Sequence, residues 1–426
     1  MIDGITLCIV GAGSSYTPEL IDGLLTQSEE QLPVREIRMH DLNTERLSVM
    51  AGLAARMIAH SGRQVILRSG GDLASLLPGA DFVITQIRVG GMPARHLDET
   101  IPLKYGIVGQ ETTGPGGMFK ALRTIPPMLE IARAVEKHAP QAFILNYTNP
   151  SGIITEAVRR HTGARLIGLC AGVPSIQAKV RELLLEEFGE TRSYCVGLNH
   201  LGFVYRFLAG DEDISERAIA RLIQISTETE GHGGLVPAET IRAFDAVPLG
   251  YAHYYLKRRL TIDSALAREK TRAEQIMETE REVFAQAADP ASTGKPAALA
   301  RRGGGGYASI TFSMLRAILH DTGEEIACTV LNGGAVDGIA DDAGVEIVCR
   351  VDRNGPTALP VGPIPLAFRG LVQAVKAYET LTVEAAVTRN RHRVVQALLN
   401  HPLAGDLDVI EPMVDEMLAA HGLAYT

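Results

Sequence analysis

The sequence has no basic excess. Its 426 residues carry a formal net charge of -9, and no block of lysine and arginine stands against it. Nucleic acid or an anionic membrane surface would find nothing to grip, so neither is expected as a partner. Long apolar runs are missing too, since no stretch reaches the ~18 residues that a spanning helix needs. Cysteine is scarce and odd in number: Cys8, Cys170, Cys195, Cys328 and Cys349 make five, widely spaced, each in or beside an apolar run. That pattern predicts buried, reduced thiols with at most one engaged in chemistry. There is no repeat, heptad or low-complexity tract. The first ten residues hold no charged leader and run directly into an apolar strand, so a cytoplasmic protein is expected.

What remains is an ordinary globular composition, 46% hydrophobic and 21% charged, in a chain too long for one ordinary core. The expected fold is α/β: a Rossmann-like, doubly wound parallel sheet of the lactate and malate dehydrogenase kind over residues 1–195, then an α+β domain over residues 196–426.

Residues 5–10 form an apolar, β-rich run that ends in Gly11-Ala12-Gly13-Ser14-Ser15-Tyr16 and leads into a helical pattern over residues 17–25. Strand, glycine turn and helix are the context in which G-x-G cradles a pyrophosphate against a positive helix end. The third glycine of that fingerprint is replaced by Tyr16. A second strand over residues 36–40 closes on Asp41, where an acid meets the ribose hydroxyls of an adenosine. Gly11, Gly13, Ser14, Ser15 and Asp41 are therefore the expected cofactor residues, and an acid at position 41 favours NAD over NADP. Strands at 64–68, 81–87 and 142–145, separated by helices at 43–60, 73–77 and 119–138, continue the alternation of a parallel sheet. Residues 88–118 read as a long functional loop, in which Arg95 offers a fork for an anion and Glu111 sits in a glycine-rich motif.

A strand over residues 165–169 ends on Cys170, and an apolar stretch around Val196 leads to Asn199-His200. A thiolate and an imidazole at neighbouring strand ends suit Mn, Fe, Co, Ni or Zn. Two ligands are too few for a closed structural site and would leave positions for substrate or water.

Taken together, Val10-Gly11-Ala12-Gly13-Ser14, Gln86-Ile87-Arg88-Val89-Gly90-Gly91, Gly109-Gln110-Glu111-Thr112-Thr113-Gly114, Thr148-Asn149-Pro150-Ser151, Gly168-Leu169-Cys170 and Gly197-Leu198-Asn199-His200 resemble the family 4 glycoside hydrolases. These are the NAD-dependent exceptions to the two-carboxylate rule for glycosidases. Val247 to Tyr255, Arg302-Gly303-Gly304 with Tyr307, and Val372 to Tyr378 match in style. Ile101 to Gly106, leading into Gln110-Glu111, is most similar to the 6-phospho-β-glucosidases.

The resemblance implies a reaction and a set of roles. NAD takes a hydride from C3 of the sugar, the ketone acidifies the hydrogen on C2, a base removes it, the aglycone leaves from C1, water adds, and the hydride returns. Cys170 and His200 would hold a divalent metal, Mn2+ by preference, that polarises the oxygens on C2 and C3. Tyr251 would be the base, with Arg302 as the neighbouring cation that lowers its pKa. Arg95, Glu111, Asn149, Asn199 and Arg302 would bind substrate. Homodimers or homotetramers are the expected assembly.

One departure bears on the substrate. In α-specific phosphoglycosidases an aspartate follows the metal cysteine and serves as acid, and in the phospho-β-glucosidases asparagine usually stands there. Here the residue is Ala171, with Gly172 intervening before Val173-Pro174. The implied reaction is cleavage of a 6-phospho-β-glucoside. An unphosphorylated sugar or uronic acid (α-galactoside, α-glucuronide or galacturonide), a 2-hydroxy-acid dehydrogenase, and a non-catalytic NAD-responsive module stay open as alternatives.

Beyond His200 the expected helices lie at 213–227 and 264–288, a loop at 288–306, strands at 326–331 and 345–351, and three helical stretches from 364 to 423. The charged runs 182–190 and 268–282 read as solvated helix faces. His253, His392 and His401 read as surface or satisfied-core histidines.

Overall fold

The computed structural model describes residues 4–230, 234–302 and 306–426; Gly303 and Gly304 of the matching motif lie outside them. Six parallel strands build the centre of the molecule: β1 (Ile5–Val10), β2 (Val34–His40), β3 (Ile66–Gly70), β4 (Phe82–Thr85), β5 (Phe143–Asn146) and β6 (Arg165–Gly168). They lie in the order β3-β2-β1-β4-β5-β6, so the chain reverses direction between β1 and β4. Ligands of doubly wound sheets bind at such a switch point, outside the carboxyl ends of the strands. Apolar residues on both faces of β1 and β4 are fully buried, as expected where helices cover a parallel sheet on both sides.

The helices on this sheet start where local chemistry starts them. The helix Thr44–Ser61 opens on Asn43, whose side chain accepts the Arg46 amide, and closes on Gly62 at a φ of 75°. The helix Arg272–Ala288 opens on a reciprocal capping box between Thr271 and Glu274.

Residues 88–118 are not a loop. They hold the helix Gly91–Lys104 and the first turn of the helix Gly114–His138. The glycines there serve tertiary contact instead: a Cβ on Gly116 would lie 2.3 Å from the Gln110 carbonyl oxygen and 2.5 Å from that of Asp98. The residues expected as one helix at 264–288 form two, Arg258–Leu266 and Arg272–Ala288.

Residue 195 lies inside β7 (Thr191–Leu198), which pairs antiparallel with β8 (Leu201–Ala209) in a second sheet. Three later strands return to the first sheet: Glu324–Leu331 joins β6, followed by Gly344–Asp352 and Gly355–Ala358, all antiparallel. The helix Leu366–Thr388 packs on the helix Gly114–His138, and the Tyr378 hydroxyl donates to the Gly114 carbonyl at 2.8 Å. One continuous core therefore includes side chains from both halves. Among the described residues no helix is long and apolar enough to cross a membrane.

Candidate active site

The carboxyl ends of β1, β2, β4, β5 and β6 open into a cleft of about 2340 Å³. At one end lies the glycine turn. Gly11 has a φ of +87°, and a Cβ there would sit 2.9 Å from the carbonyl carbon of Gln86; on Gly13 it would sit 2.8 Å from Asp41 Oδ2. Side chains are thus excluded where a pyrophosphate would approach. Asp41 lines the same wall, its Oδ2 accepting the Gly13 amide and its Oδ1 the Asn43 amide, both at 2.8 Å. Gly11, Gly13, Ser14 and Asp41 face the cleft, so the cradle fits a dinucleotide. Ser15 does not: it is fully buried and donates to Glu280 Oε1 at 2.7 Å.

On the opposite side are Cys170, His200 and Tyr251. Cys170 follows β6 and precedes the helix Gly172–Phe188, whose first amide, Gly172, donates to the sulfur at 3.5 Å. A Cβ on Gly172 would lie 3.4 Å from Leu249 and 3.6 Å from the sulfur, so the residue beside Ala171 brings a helix N-terminus against the thiol. Asn199 and His200 form the two-residue turn between β7 and β8, where Leu198 pairs Leu201, and His200 takes a φ of 68°. That turn projects the imidazole into the cleft. Its ring stacks on Tyr251, with centroids 4.2 Å apart and planes 14° from parallel.

Burial pushes the Cys170 thiol up to about 12, with nearby Glu346 acting the same way, while the Gly172 amide and Asn199 side chain pull the other way. Burial and then the Lys120 charge bring His200 down to about 4. A neutral imidazole with a buried Nδ1 that has no partner among the described residues fits a metal ligand. Cys170 adds the soft donor. Among the described residues no third His, Cys, Asp or Glu joins them, which leaves the coordination sphere open to substrate.

Burial raises the Tyr251 phenol, and Arg95 is the cation that opposes the rise. Arg302, expected in that role, is engaged elsewhere: it pairs with Glu280 at 3.0 Å and stacks over Tyr16 at 3.8 Å, on the cofactor side of the cleft.

The floor between the two walls is a buried charge cluster. Glu111 receives Arg88, Arg95 at 2.8 Å and Lys120 at 2.7 Å. Burial works against its ionisation, yet Arg88, Lys120 and Arg95 together hold it well below the usual carboxylate range. Burial and the charge of Arg88 lower Lys120 to about 7. Asn149 lines the cleft with its amide donating to the Tyr147 carbonyl at 3.3 Å. Asn199 is turned away from the cleft toward Glu346.

Sequence reasoning gave no site role to Lys120, Tyr16 or Glu280. Glu280 falls in the run 268–282 expected as a solvated face; instead Arg268, Thr271, Arg272, Met277 and Glu280 line the cleft. The capping box at Thr271 marks where that helix begins, but nothing local marks Glu280 as buried. Of the three unassigned histidines, His253 and His392 are exposed and His401 is core.

Comparison with known proteins identifies the family. Residues 6–186 match the family 4 glycosyl hydrolases, and residues 195–404 match the C-terminal domain of that family. The chain is 36% identical over 430 residues to a probable 6-phospho-β-glucosidase of Bacillus subtilis (strain 168), covering 99% of this chain and 97% of the relative. It superposes with a TM-score of 0.87 and 30% identity on the 6-phospho-β-glucosidase of Thermotoga maritima solved with manganese, NAD+ and glucose-6-phosphate, covering 99% of each chain. A lactate dehydrogenase from a Medee basin deep-sea metagenome library superposes at 0.54 with 14% identity over 91% of this chain and all of that one, a likeness of fold alone. The chain belongs to the family 4 glycosyl hydrolases.

Proposed function

We propose that the protein cleaves a 6-phospho-β-glucoside, with NAD on the glycine turn and a divalent metal, manganese by preference, on Cys170 and His200. The observation that carries this reading is the stacking of His200 on Tyr251 within one cleft whose far end is the glycine turn. When bound, NAD supplies a reversible hydride acceptor for C3 of the sugar, and the metal supplies positive charge for the oxygens on C2 and C3.

The chain's own residues supply the rest. Tyr251 takes the C2 proton, and Arg95, by favouring the phenolate, works against the burial that disfavours it. The Glu111 cluster fixes Arg88, Arg95 and Lys120 on the floor, so the sugar meets donors already in place. Asn149 presents its amide to the sugar. Gly11, Gly13, Ser14 and Asp41 hold the cofactor, with Arg302 stacked beside them on Tyr16. Lys257 and Arg268 line the mouth near Tyr254 and give a phosphate opposite charge. The β-anomer is favoured by the 36% relative and by Ala171, which offers no acid where α-specific members carry one. A phosphorylated sugar and NAD are both cytoplasmic pools, so the proposed place of action is the cytoplasm. A homodimer or homotetramer is the proposed assembly, to be read by light scattering.

The test incubates aryl β-glucosides and their 6-phosphates with the enzyme, NAD, Mn2+ and a reductant, and follows phenol release together with solvent deuterium at C2 of the product. Release from the 6-phosphate with deuterium at C2 is expected, and Tyr251→Phe should abolish both. Cleavage confined to unphosphorylated or uronic acid glycosides would move the substrate assignment. Failure to cleave any glycoside with any metal, alongside stoichiometric NAD reduction by 2-hydroxy acids, would overturn the reading.

A further inference from the structure

Behind Cys170, outside the cleft, lies a carboxyl group that the proposed chemistry does not use. Glu346, in the strand Gly344–Asp352, is 0% exposed. Its Oε2 accepts from Asn199 Nδ2 at 3.4 Å. Its Oε1 and the Asn199 Oδ1 have no partner among the described residues. With Glu346 ionised, both of those atoms are bare acceptors in the core, and each would cost about 1–3 kcal/mol. One proton removes the conflict. A carboxylic acid and a primary amide close a two-bond ring, the acid O–H donating to the amide oxygen and the amide N–H donating to the acid carbonyl.

The surroundings favour that proton. On the helices packed nearby, Glu156 pairs with Lys376 at 2.7 Å and with Arg160 at 3.4 Å, and Glu379 pairs with Lys376 at 2.6 Å. Thr329 faces Glu346 across the strand pair, and the Cys195 thiol lies 4.0 Å from the Glu346 carbonyl oxygen. Both cations are already engaged by Glu156 and Glu379, so an ionised Glu346 would stand uncompensated. Burial, with Glu379 pushing the same way, raises its carboxyl to about 8. The Asn199 side chain also lies beside the Cys170 thiol and favours its ionised form.

We propose that Glu346 is a positioning residue: as the neutral acid it locks the Asn199 amide with its NH2 edge on the Cys170 sulfur, and so presents that sulfur to the metal as a hydrogen-bonded thiolate. The inference rests on the reading of Cys170 and His200 as metal ligands. It assigns Asn199, first expected to touch substrate, to the metal's outer support.

The test titrates Mn2+ into the full-length protein by calorimetry and records the thiolate charge-transfer band of the Co2+ form. Glu346→Gln restores the ring, because its amide can donate to Asn199 Oδ1 and accept from Nδ2; Mn2+ affinity should stay within about threefold, whereas Glu346→Leu should weaken it about 10–100-fold with NAD affinity unchanged. Should Glu346→Leu fail to fold, Asn199→Ala removes the same link from the other side and should weaken Mn2+ equally. Wild-type affinity in Glu346→Leu or Asn199→Ala would overturn the proposal, as would a Gln variant as weak as the Leu variant. Absence of the Co2+ band in the unmutated protein would instead overturn the metal reading itself.

Discussion

His401 lies in the core, 3% exposed, with its ring 4.4 Å from that of Tyr378. Its Nδ1 is 3.2 Å from the Leu403 amide, and its Nε2 is 3.3 Å from both the Gly114 amide and the Thr113 hydroxyl and 3.5 Å from the Tyr255 hydroxyl. The neutral ring protonated on Nε2 can donate to a hydroxyl there and accept the Leu403 amide on Nδ1, whereas a doubly protonated ring would set hydrogen against hydrogen at Nδ1. Burial lowers its pKa from 6.5 to about 3. Between those values the unfolded chain binds the proton and the folded chain does not, so stability is lost as pH falls below 6.5. At pH 5 the loss should be about 2 kcal/mol, at roughly 1.4 kcal/mol per pH unit. Urea unfolding at pH 7 and pH 5 checks it: His401→Gln, which does not titrate, should lose about 2 kcal/mol less than the wild type between the two. Equal losses would show that His401 is not among the groups that set the acid limb.

At the scale of elements, the turn after β1 is the feature whose sequence and structure agree most closely. Gly11→Ala places a Cβ 2.9 Å from backbone of Gln86 at a φ of +87°, so neither the turn nor its neighbour can yield cheaply. We expect a cost of about 1–3 kcal/mol and at least a tenfold loss of NAD affinity by calorimetry. Gly70→Ala, at the end of β3 with nothing within 4 Å, should stay within about 0.5 kcal/mol of wild type. If the two variants behave alike, the turn is not the cradle. The strands β1 and β6 were legible because each is an apolar run stopped by Gly11 or Cys170, and β2 because Ile37 and Met39, set between polar residues, close on Asp41; in each the signal is carried by adjacent residues. Cys170, His200 and Tyr251 were legible through motif resemblance, and the structure brings them to one wall. The helix Gly91–Lys104 was not legible, because its Gly90 and Gly91 start and its Pro102 imitate loop composition. Nor were the directions of Ser15 and Asn199. Each sits one residue from a side chain that does face the cleft, Ser14 and His200, and which way it points is decided by Glu280 and Glu346, 265 and 147 residues further along the chain.

At the scale of the molecule, one buried cluster has members on both sides of the 195/196 division expected from the sequence. The family match itself breaks between residues 186 and 195, as though two modules met there. Yet the helix Gly114–His138 buries Phe119, Leu122 and Ile125 in a core completed by the later chain, which covers it with the helix Leu366–Thr388. Glu156, 0% exposed, pairs at 2.7 Å with Lys376 on that later helix, besides Arg160 of its own helix at 3.4 Å. The free edge of β6 is covered by the strand Glu324–Leu331, through the pair Thr329 and Gly168. A fragment of residues 1–195 would therefore keep every residue of the glycine turn while exposing a helix face, a buried carboxylate and a sheet edge at once. Such a fragment should bind a hydrophobic dye, lack a cooperative thermal transition and bind NAD at least about tenfold more weakly; co-expression with residues 196–426 should restore all three. Cooperative unfolding of the isolated fragment with wild-type NAD affinity would show instead that the first half is a domain in its own right. In that case the antiparallel strands at its edge would be a cover added to a finished sheet.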